Sequence, residues 1–488
     1  MTVDQRIVVG NIADEEARSA SALRRHIFSS GYTVALRLIT TFALKLVGVL
    51  IISRILGPAG YGSYVAAYGV YMFALSVGLA GIPVFLIRRE GALTSRQIGA
   101  ATTFLFIVST LIVLLVEGLS GLLAAYANIP GLPEVLRIMA FALPLQALSM
   151  PAQALVERRL DLKGVAIIEL STLAGYYACA LPLALAGVGP AALAYALVFQ
   201  YWLAAPMAYA VARTWPRFGW DPLFVLAMTR FAGGFSAANF VLQLRALVNP
   251  FLVGPVLGAT SVGVIGMTIG ILEALTQIRT ILWRIAVAAL APFRADAQKL
   301  RRLIGEGMEI QILAIGALVL GFGWAGGLIV PSLFGARWLP IFRVYPYIAL
   351  SYLMMSTFSM HTVALTLVNC NWLLAGFQGL NAFALAVIAW FAIRAFGVEG
   401  YRYAEVGALP TYWALHHVLV RRQIAPSFRP AAVWCMATAV GLFWRQLGPL
   451  AIAAPFAALL APPSPARIRA IASSLGHRAK PKLSAMES

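Results

Sequence analysis

The sequence predicts an all-α polytopic membrane protein of about fourteen transmembrane helices, built as two parallel, pseudo-repeated six-helix halves plus two C-terminal helices. Three observations predict it. The 488 residues are 61% apolar and 11% charged, against about 25% charged residues in an average soluble domain. The apolar runs reach about 20 residues or more and do not alternate with a period of two, which selects helices over a closed barrel. A short segment after the first run is echoed after the seventh.

The apolar segments fall at 31–53, 63–86, 98–125, 135–156, 164–187, 190–212, 231–254, 262–290, 308–334, 341–368, 372–394, 398–420, 430–446 and 448–462. The last two are short and share the break Arg445-Gln446-Leu447-Gly448-Pro449. They form either two spanning helices or one interfacial hairpin. Residues 1–30 mix Asp14, Glu15 and Glu16 with Arg24 and Arg25. No apolar core of a cleavable signal peptide lies there.

Charge placement orients the spans. Lys and Arg total 37 against 18 Asp and Glu, a net charge of +19. The excess sits in every second connection: Arg88, Arg89 and Arg96; Arg158, Arg159 and Lys163; Arg213 and Arg217; Arg294, Lys299, Arg301 and Arg302; Arg421, Arg422 and Arg429. The alternate connections hold little beyond Arg54 and Arg337. The positive-inside rule puts the rich loops and both termini, including Arg467, Arg469, Arg478, Lys480 and Lys482, in the cytoplasm. The turn Asn369-Cys370-Asn371 is a cytoplasmic turn without a cation. This pattern sets topology and does not call for nucleic acid.

Leu56-Gly57-Pro58-Ala59-Gly60-Tyr61-Gly62 and Leu257-Gly258-Ala259-Thr260-Ser261-Val262-Gly263 match at Leu, Gly and the last Gly, at a constant offset of 201. Six spans separate them, so the halves share one orientation and repeat about an axis along the membrane normal. The expected organisation is a cytoplasmic segment 1–30, lobes 31–220 and 221–422, an accessory helix pair 423–462 and a basic tail 463–488.

Charges at membrane depth cost on the order of 3 kcal/mol each on insertion scales, which makes them functional candidates. In span one, Arg37, Thr41 and Lys45 follow i, i+4, i+8 and share a side with Gly48. Lys45 lies about 21 Å from the helix start. In span seven, Arg245 and Asn249 share a face, with Arg245 at the depth of Lys45 by the repeat offset. In span eight, Glu273, Gln277, Thr280 and Arg284 form a narrow stripe that faces a cavity or other helices rather than lipid. Arg37, Lys45, Arg245 and Arg284 face only Glu273 in these spans, and a surplus of positive potential in a low-dielectric cleft favours an anionic ligand. Glu273 is the candidate for ion coupling and for neutralising Arg245 or Lys45. The alternative pairs the cations with Glu273, Glu117 or Glu169 merely to lock helices.

Softer signals complete the survey. Tyr61, Tyr64, Tyr68 and Tyr71 line one face of span two, where Tyr64, Tyr68 and Tyr71 are candidates for stacking on sugar rings, with packing as the alternative. Gln146, Ser149 and Gln153 line span four between Pro144 and Pro151. They suit a moving polar helix or helix–helix hydrogen bonds. His361 is a candidate proton carrier. Cys179, Cys370 and Cys435 lack metal-ligand spacing and read as buried apolar residues. No metal or cofactor is expected.

Ser53-Arg54-Ile55-Leu56-Gly57-Pro58-Ala59-Gly60-Tyr61-Gly62-Ser63-Tyr64 resembles the first external turn of bacterial O-antigen and exopolysaccharide flippases, within the multidrug/oligosaccharidyl-lipid/polysaccharide exporter superfamily. Ala232-Gly233-Gly234-Phe235-Ser236-Ala237-Ala238-Asn239 and Ala291-Pro292-Phe293 resemble two further family landmarks more loosely. The resemblance implies two lobes around a central cavity lined by helices one, two, seven and eight, in the bacterial inner membrane. It implies translocation of undecaprenyl-diphosphate-linked oligosaccharide for surface polysaccharide by alternating access, with no bond made or broken. Arg37, Lys45, Arg245 and Arg284 would clamp the pyrophosphate, with Thr41, Asn249, Gln277 and Thr280 lining the cavity. The partners it implies are the lipid-linked oligosaccharide, membrane lipids, and a polysaccharide polymerase with its chain-length machinery. The alternatives are a multidrug/cation antiporter, which needs an acidic cavity, and a lipid II flippase of the same superfamily. A membrane glycosyltransferase or polymerase would need a long external loop and a carboxylate or His cluster, which the sequence does not supply.

Overall fold

In the computed structural model, residues 3–78, 81–294, 296–368 and 370–461 are described. The cations of the expected basic tail and Asn369 of the cation-free turn lie outside them, as do the side chains of residues 3–35. Among the described residues every regular element is helical. In chain order these are α1 (Val3–Gly78), α2 (Ile82–Arg88), α3 (Ser95–Ala127), α4 (Leu132–Ala140), α5 (Ala142–Arg158), α6 (Leu162–Leu185) and α7 (Ala191–Ala212). After them come α8 (Pro222–Val248), α9 (Gly254–Thr276), α10 (Ile278–Leu290), α11 (Ala297–Leu333), α12 (Ile341–Thr357) and α13 (Ser359–Leu367). The chain continues with α14 (Asn371–Phe396), α15 (Val398–Gly407), α16 (Thr411–Arg421), α17 (Arg429–Leu442), α18 (Trp444–Leu447) and α19 (Ala453–Leu460).

Among the described residues, helix is the main conformation in each of the fourteen apolar segments. Nine described helices are long and apolar enough to cross a membrane. The numbers differ because segments and helices do not correspond one to one. Segments one and two lie on α1, which runs through the expected turn with a single break at Gly57. The span Gln243–Thr276 likewise joins parts of segments seven and eight, and segments twelve to fourteen consist of helices too short to count. The acids of the basic connections have a local task. Asp161 and Asp296 cap α6 and α11, each accepting a backbone N–H at 2.9 Å, and Asp221 accepts from the Phe224 amide at 3.1 Å.

The chain forms two compact units. The first comprises Met1–Ile55, Ala74–Ser120 and Glu134–Ser236. Its core joins Ile82, Leu86, Leu105, Phe224 and Met228, and a second cluster joins Ile168 to Ala208 and Tyr209. Arg158 donates to the Leu86 carbonyl at 3.0 Å and to that of Gly91, tying α5 to the end of α2.

The second unit comprises Leu56–Phe73, Gly121–Pro133 and Ala237–Ser488. It contains both copies of the repeated turn, and they are conformationally alike. Gly57 has φ 64 and ψ −179, and Gly258 has φ 72 and ψ 179. That region is essentially restricted to glycine. Five residues on, the copies meet. A Cβ on Gly62 would lie 1.9 Å from the Ala259 carbonyl oxygen, and one on Gly263 would lie 1.9 Å from the Pro58 carbonyl oxygen. Pro58 and Ala259 are themselves 201 apart. The contact is therefore self-complementary, as a pseudo-twofold relation requires. Ser63 donates to the Pro130 carbonyl at 2.8 Å and fixes this segment to the α3–α4 connection. Near the C-terminal end, Pro455 of α19 fills the space over Gly441 of α17, and Phe456 stacks on Trp324 of α11.

Candidate functional site

The polar interior of the second unit is built on the end of α8. Arg245 stands in its last turn, immediately before a π-turn at Asn249–Val253 that Pro250 occupies. Its Nη2 lies 3.2 and 2.9 Å from the two oxygens of Glu405 on α15, and its Nη1 lies 3.1 Å from Asn381 Oδ1 on α14. The Tyr401 hydroxyl donates to Glu405 at 3.0 Å, and Asn381 Nδ2 donates to the Thr411 hydroxyl at 2.8 Å. Glu405 is 1% exposed. A carboxylate so buried persists only with a cation and hydrogen bonds around it, and this network supplies both.

Glu273, which sequence spacing offered as the neutraliser of Arg245 or Lys45, instead accepts a hydrogen bond from Tyr352 at 3.4 Å. Two residues of this interior escaped the sequence reading. Glu405 was legible only as an acid inside the apolar segment 398–420. Arg279 interrupts segment eight two residues after Gln277 and lies within electrostatic reach of Glu273, Arg245 and Tyr352. Arg279 and Arg284 make no hydrogen bond or ion pair among the described residues. Along α8–α10 and α15, five cations (Arg230, Arg245, Arg279, Arg284, Arg402) stand against three carboxylates (Glu273, Glu399, Glu405), and Arg402 pairs with Glu399.

Other predicted residues of this unit take varied places. Asn249 is buried, and its Nδ2 donates to the Val262 carbonyl at 3.1 Å, so it ties the turn after α8 to the body of α9. Gln277 and Thr280 are exposed at the break between α9 and α10. Tyr64, Tyr68 and Tyr71 stack on one another, with centroids 5.7 and 6.1 Å apart and both pairs at 23°. Tyr71 is buried, and Tyr68 presents an accessible edge. His361 is not alone: its Nε2 lies 3.1 Å from His416 Nδ1.

In the first unit, Arg37 Nε lies 3.3 Å from Glu169 of α6. A Cβ on Gly48 would overlap the Tyr177 ring of α6, and the Tyr177 hydroxyl donates to the Lys45 carbonyl at 3.3 Å. Arg37, Thr41 and Gly48 lie within about 40° on a helical wheel, while Lys45 sits about 80° from Arg37. The wheel therefore separates them: Arg37 and Gly48 meet α6, and the Lys45 side chain is exposed with no ion pair among the described residues. Thr41 Oγ1 is buried without a hydrogen-bond partner among the described residues. Glu117, the other candidate lock, pairs with Arg137 at 3.5 Å.

The fold resembles those of solved membrane transporters. Lipid II flippase MurJ, in an inward closed conformation, superposes with a TM-score of 0.64 at 8% identity, covering 91% of this chain and 99% of that one. An inward-facing multidrug resistance MATE family transporter gives a TM-score of 0.61 at 15% identity, covering 80% of this chain and 98% of that one. Sequence narrows the class. Residues 51–343 match the polysaccharide biosynthesis protein family, and the chain belongs to that family. The succinoglycan biosynthesis transport protein ExoT of Rhizobium meliloti (strain 1021) is 30% identical over 207 residues. The match spans 41% of this chain and 41% of that relative.

Proposed function

We infer that this chain moves undecaprenyl-diphosphate-linked oligosaccharide from the cytoplasmic to the periplasmic leaflet of the bacterial inner membrane, in the making of a surface polysaccharide. The carrying observation is a pair of basic side chains on membrane helices that form no ion pair among the described residues, Lys45 in the first unit and Arg284 in the second, with Arg279 standing near Glu273 but not bonded to it. A pyrophosphate is a compact multivalent anion, and unpaired cations on membrane helices replace its hydration shell as it leaves the headgroup region.

Arg37 and Arg245 also belong to the proposed clamp, but each already holds a carboxylate, Glu169 and Glu405 respectively. For them the incoming pyrophosphate competes with an internal anion. Glu273 keeps its place as the proposed coupling carboxylate, held by Tyr352. Membership in a polysaccharide biosynthesis family supports a glycan-bearing substrate. The step is translocation by alternating access, so the chain supplies electrostatics and a path and makes no bond.

The test uses Lys45→Leu, Arg284→Leu and the double variant, chosen because neither side chain has an acidic partner whose loss would confound the result. Purified protein in proteoliposomes is supplied with a fluorescent undecaprenyl-diphosphate oligosaccharide, and transfer between leaflets is timed. The double variant is expected to flip about 100-fold more slowly, in line with two lost charge-assisted contacts. Transfer at the wild-type rate by a correctly inserted double variant would overturn the proposal.

A further inference from the structure

The first unit contains a polar cleft of which the pyrophosphate reading uses only Glu169, the partner of Arg37. It opens between α5, α6 and α7 and has a volume of about 260 Å³. Three amides line it, Gln146, Gln153 and Gln200, with two carboxylates, Glu157 and Glu169, and the Thr172 hydroxyl. Pro83 and Met150 supply apolar wall. From Gln146 to Arg158 at the basic end of α5 is 12 residues, so the cleft reaches about 18 Å along the helix from the cation-rich connections.

Hydrogen bonding between membrane helices explains such a face when its groups are satisfied by one another. Here they are not. Gln153 donates to Ser149 of its own helix at 3.1 Å rather than across the cleft. Gln200 and Glu157 form no hydrogen bond among the described residues. Gln200 lies within the apolar segment 190–212, and a polar side chain left without a protein partner at membrane depth marks a recess with a task, whose mouth Glu157 lines beside the basic connection.

The chemistry of the lining selects the ligand. An amide donates and accepts at once, as a sugar hydroxyl does, and a carboxylate accepts two hydrogen bonds from neighbouring hydroxyls. Apolar wall suits the C–H face of a pyranose. The cleft disfavours anions, because its two carboxylates, Glu157 and Glu169, share the one guanidinium of Arg37, which is bonded to Glu169. It is therefore unsuited to the pyrophosphate or to uronate sugars. Its volume falls below the roughly 300 Å³ of the smallest drug-sized pockets, which fits one or two sugar rings and not a whole repeat unit.

Resting on the function inferred above, we propose that this cleft is a subsite for uncharged sugar residues of the lipid-linked oligosaccharide, held by Gln146, Gln153, Gln200 and Glu157. The cations bind the phosphate end of the substrate, and this cleft binds hydroxyls of its glycan.

Two soluble probes separate the proposals. Cellotriose reports on the cleft and farnesyl diphosphate on the cations, each titrated against the full chain in lipid nanodiscs. Gln153→Leu combined with Gln200→Leu is expected to weaken cellotriose binding by about tenfold or more, the worth of one to two hydrogen bonds, and to bind farnesyl diphosphate like wild type, which also shows that it is folded. The Lys45→Leu/Arg284→Leu pair is expected to do the reverse. Absence of saturable cellotriose binding by wild type, or equal binding by the glutamine variant, overturns the sugar subsite while leaving the cation result to stand or fall by itself. A third outcome also overturns it: tetraphenylphosphonium displacing cellotriose and losing its own binding in Glu157→Gln, which would make the cleft a cation site. If farnesyl diphosphate ignores the cation variants while cellotriose follows the glutamines, the pyrophosphate clamp fails and the cleft survives.

Discussion

Arg245 shows how far the meaning of a residue depends on its partner. From sequence it is a cation at membrane depth with Glu273 as nearest candidate counter-charge; in the structure it is bound through both nitrogens to Glu405 and Asn381. Its side chain is 29% exposed, against 1% for that of Glu405, so the acid bears most of the desolvation. Removing the arginine alone strands a buried carboxylate, at a cost of about 3–5 kcal/mol. Removing both charges costs far less, because hydrophobic replacements of a buried ion pair are often neutral. Arg245→Leu is therefore expected to lower the thermal midpoint in detergent clearly, and Arg245→Leu/Glu405→Leu to recover most of that loss. If the double variant were as unstable as the single, stranding of Glu405 would not be the cause. Lys45 and Arg284 carry no such acid partner among the described residues, so their substitution is expected to leave the midpoint nearly unchanged.

At the scale of elements, the two repeated turns were the most legible feature, and for a physical reason. Backbone at positive φ with extended ψ excludes every residue with a Cβ at a cost of order 1–3 kcal/mol, so Gly57 and Gly258 had to appear in the sequence as glycines. The 201-residue offset then carries over into space, with Gly62 and Gly263 meeting across equivalent carbonyls. Gly62→Ala and Gly263→Ala should each disrupt this contact by similar amounts, since each Cβ would meet backbone rather than a flexible side chain. Thermal unfolding of the two single variants checks this, and a large loss in one with none in the other would break the claimed equivalence. The helices themselves were legible because apolar length fixes them. What stayed hidden was side-chain partnership: Glu405 with Arg245, and Gln200 beside Gln146 and Gln153, join segments far apart in the chain whose azimuth no periodicity supplies. The stripe Glu273, Gln277, Thr280 and Arg284 assumed one unbroken helix, and the break between α9 and α10 falls within it.

For the whole molecule, charge distribution carries an orientation that packing alone does not specify. The cation-rich connections at 88–96, 158–163, 213–217, 294–302 and 421–429 alternate with connections nearly devoid of Lys and Arg. Basic loops resist transfer across the membrane during insertion, and the bias accumulates over successive short loops. Both sets of connections include exposed residues where a probe can be placed without touching the packed interior. Ala92 lies in the first rich connection, and Val188 in the poor connection between α6 and α7, and both are exposed. The proposed orientation puts Ala92 in the cytoplasm and Val188 in the periplasm. In a background with Cys179, Cys370 and Cys435 replaced by Ala, Val188→Cys should react with a membrane-impermeant maleimide in cells whose outer membrane alone is permeabilised. Ala92→Cys should react only after the inner membrane is opened. The opposite pattern would place the basic loops outside, and the proposed direction of transport, from the cytoplasmic to the periplasmic leaflet, would have to be abandoned with it.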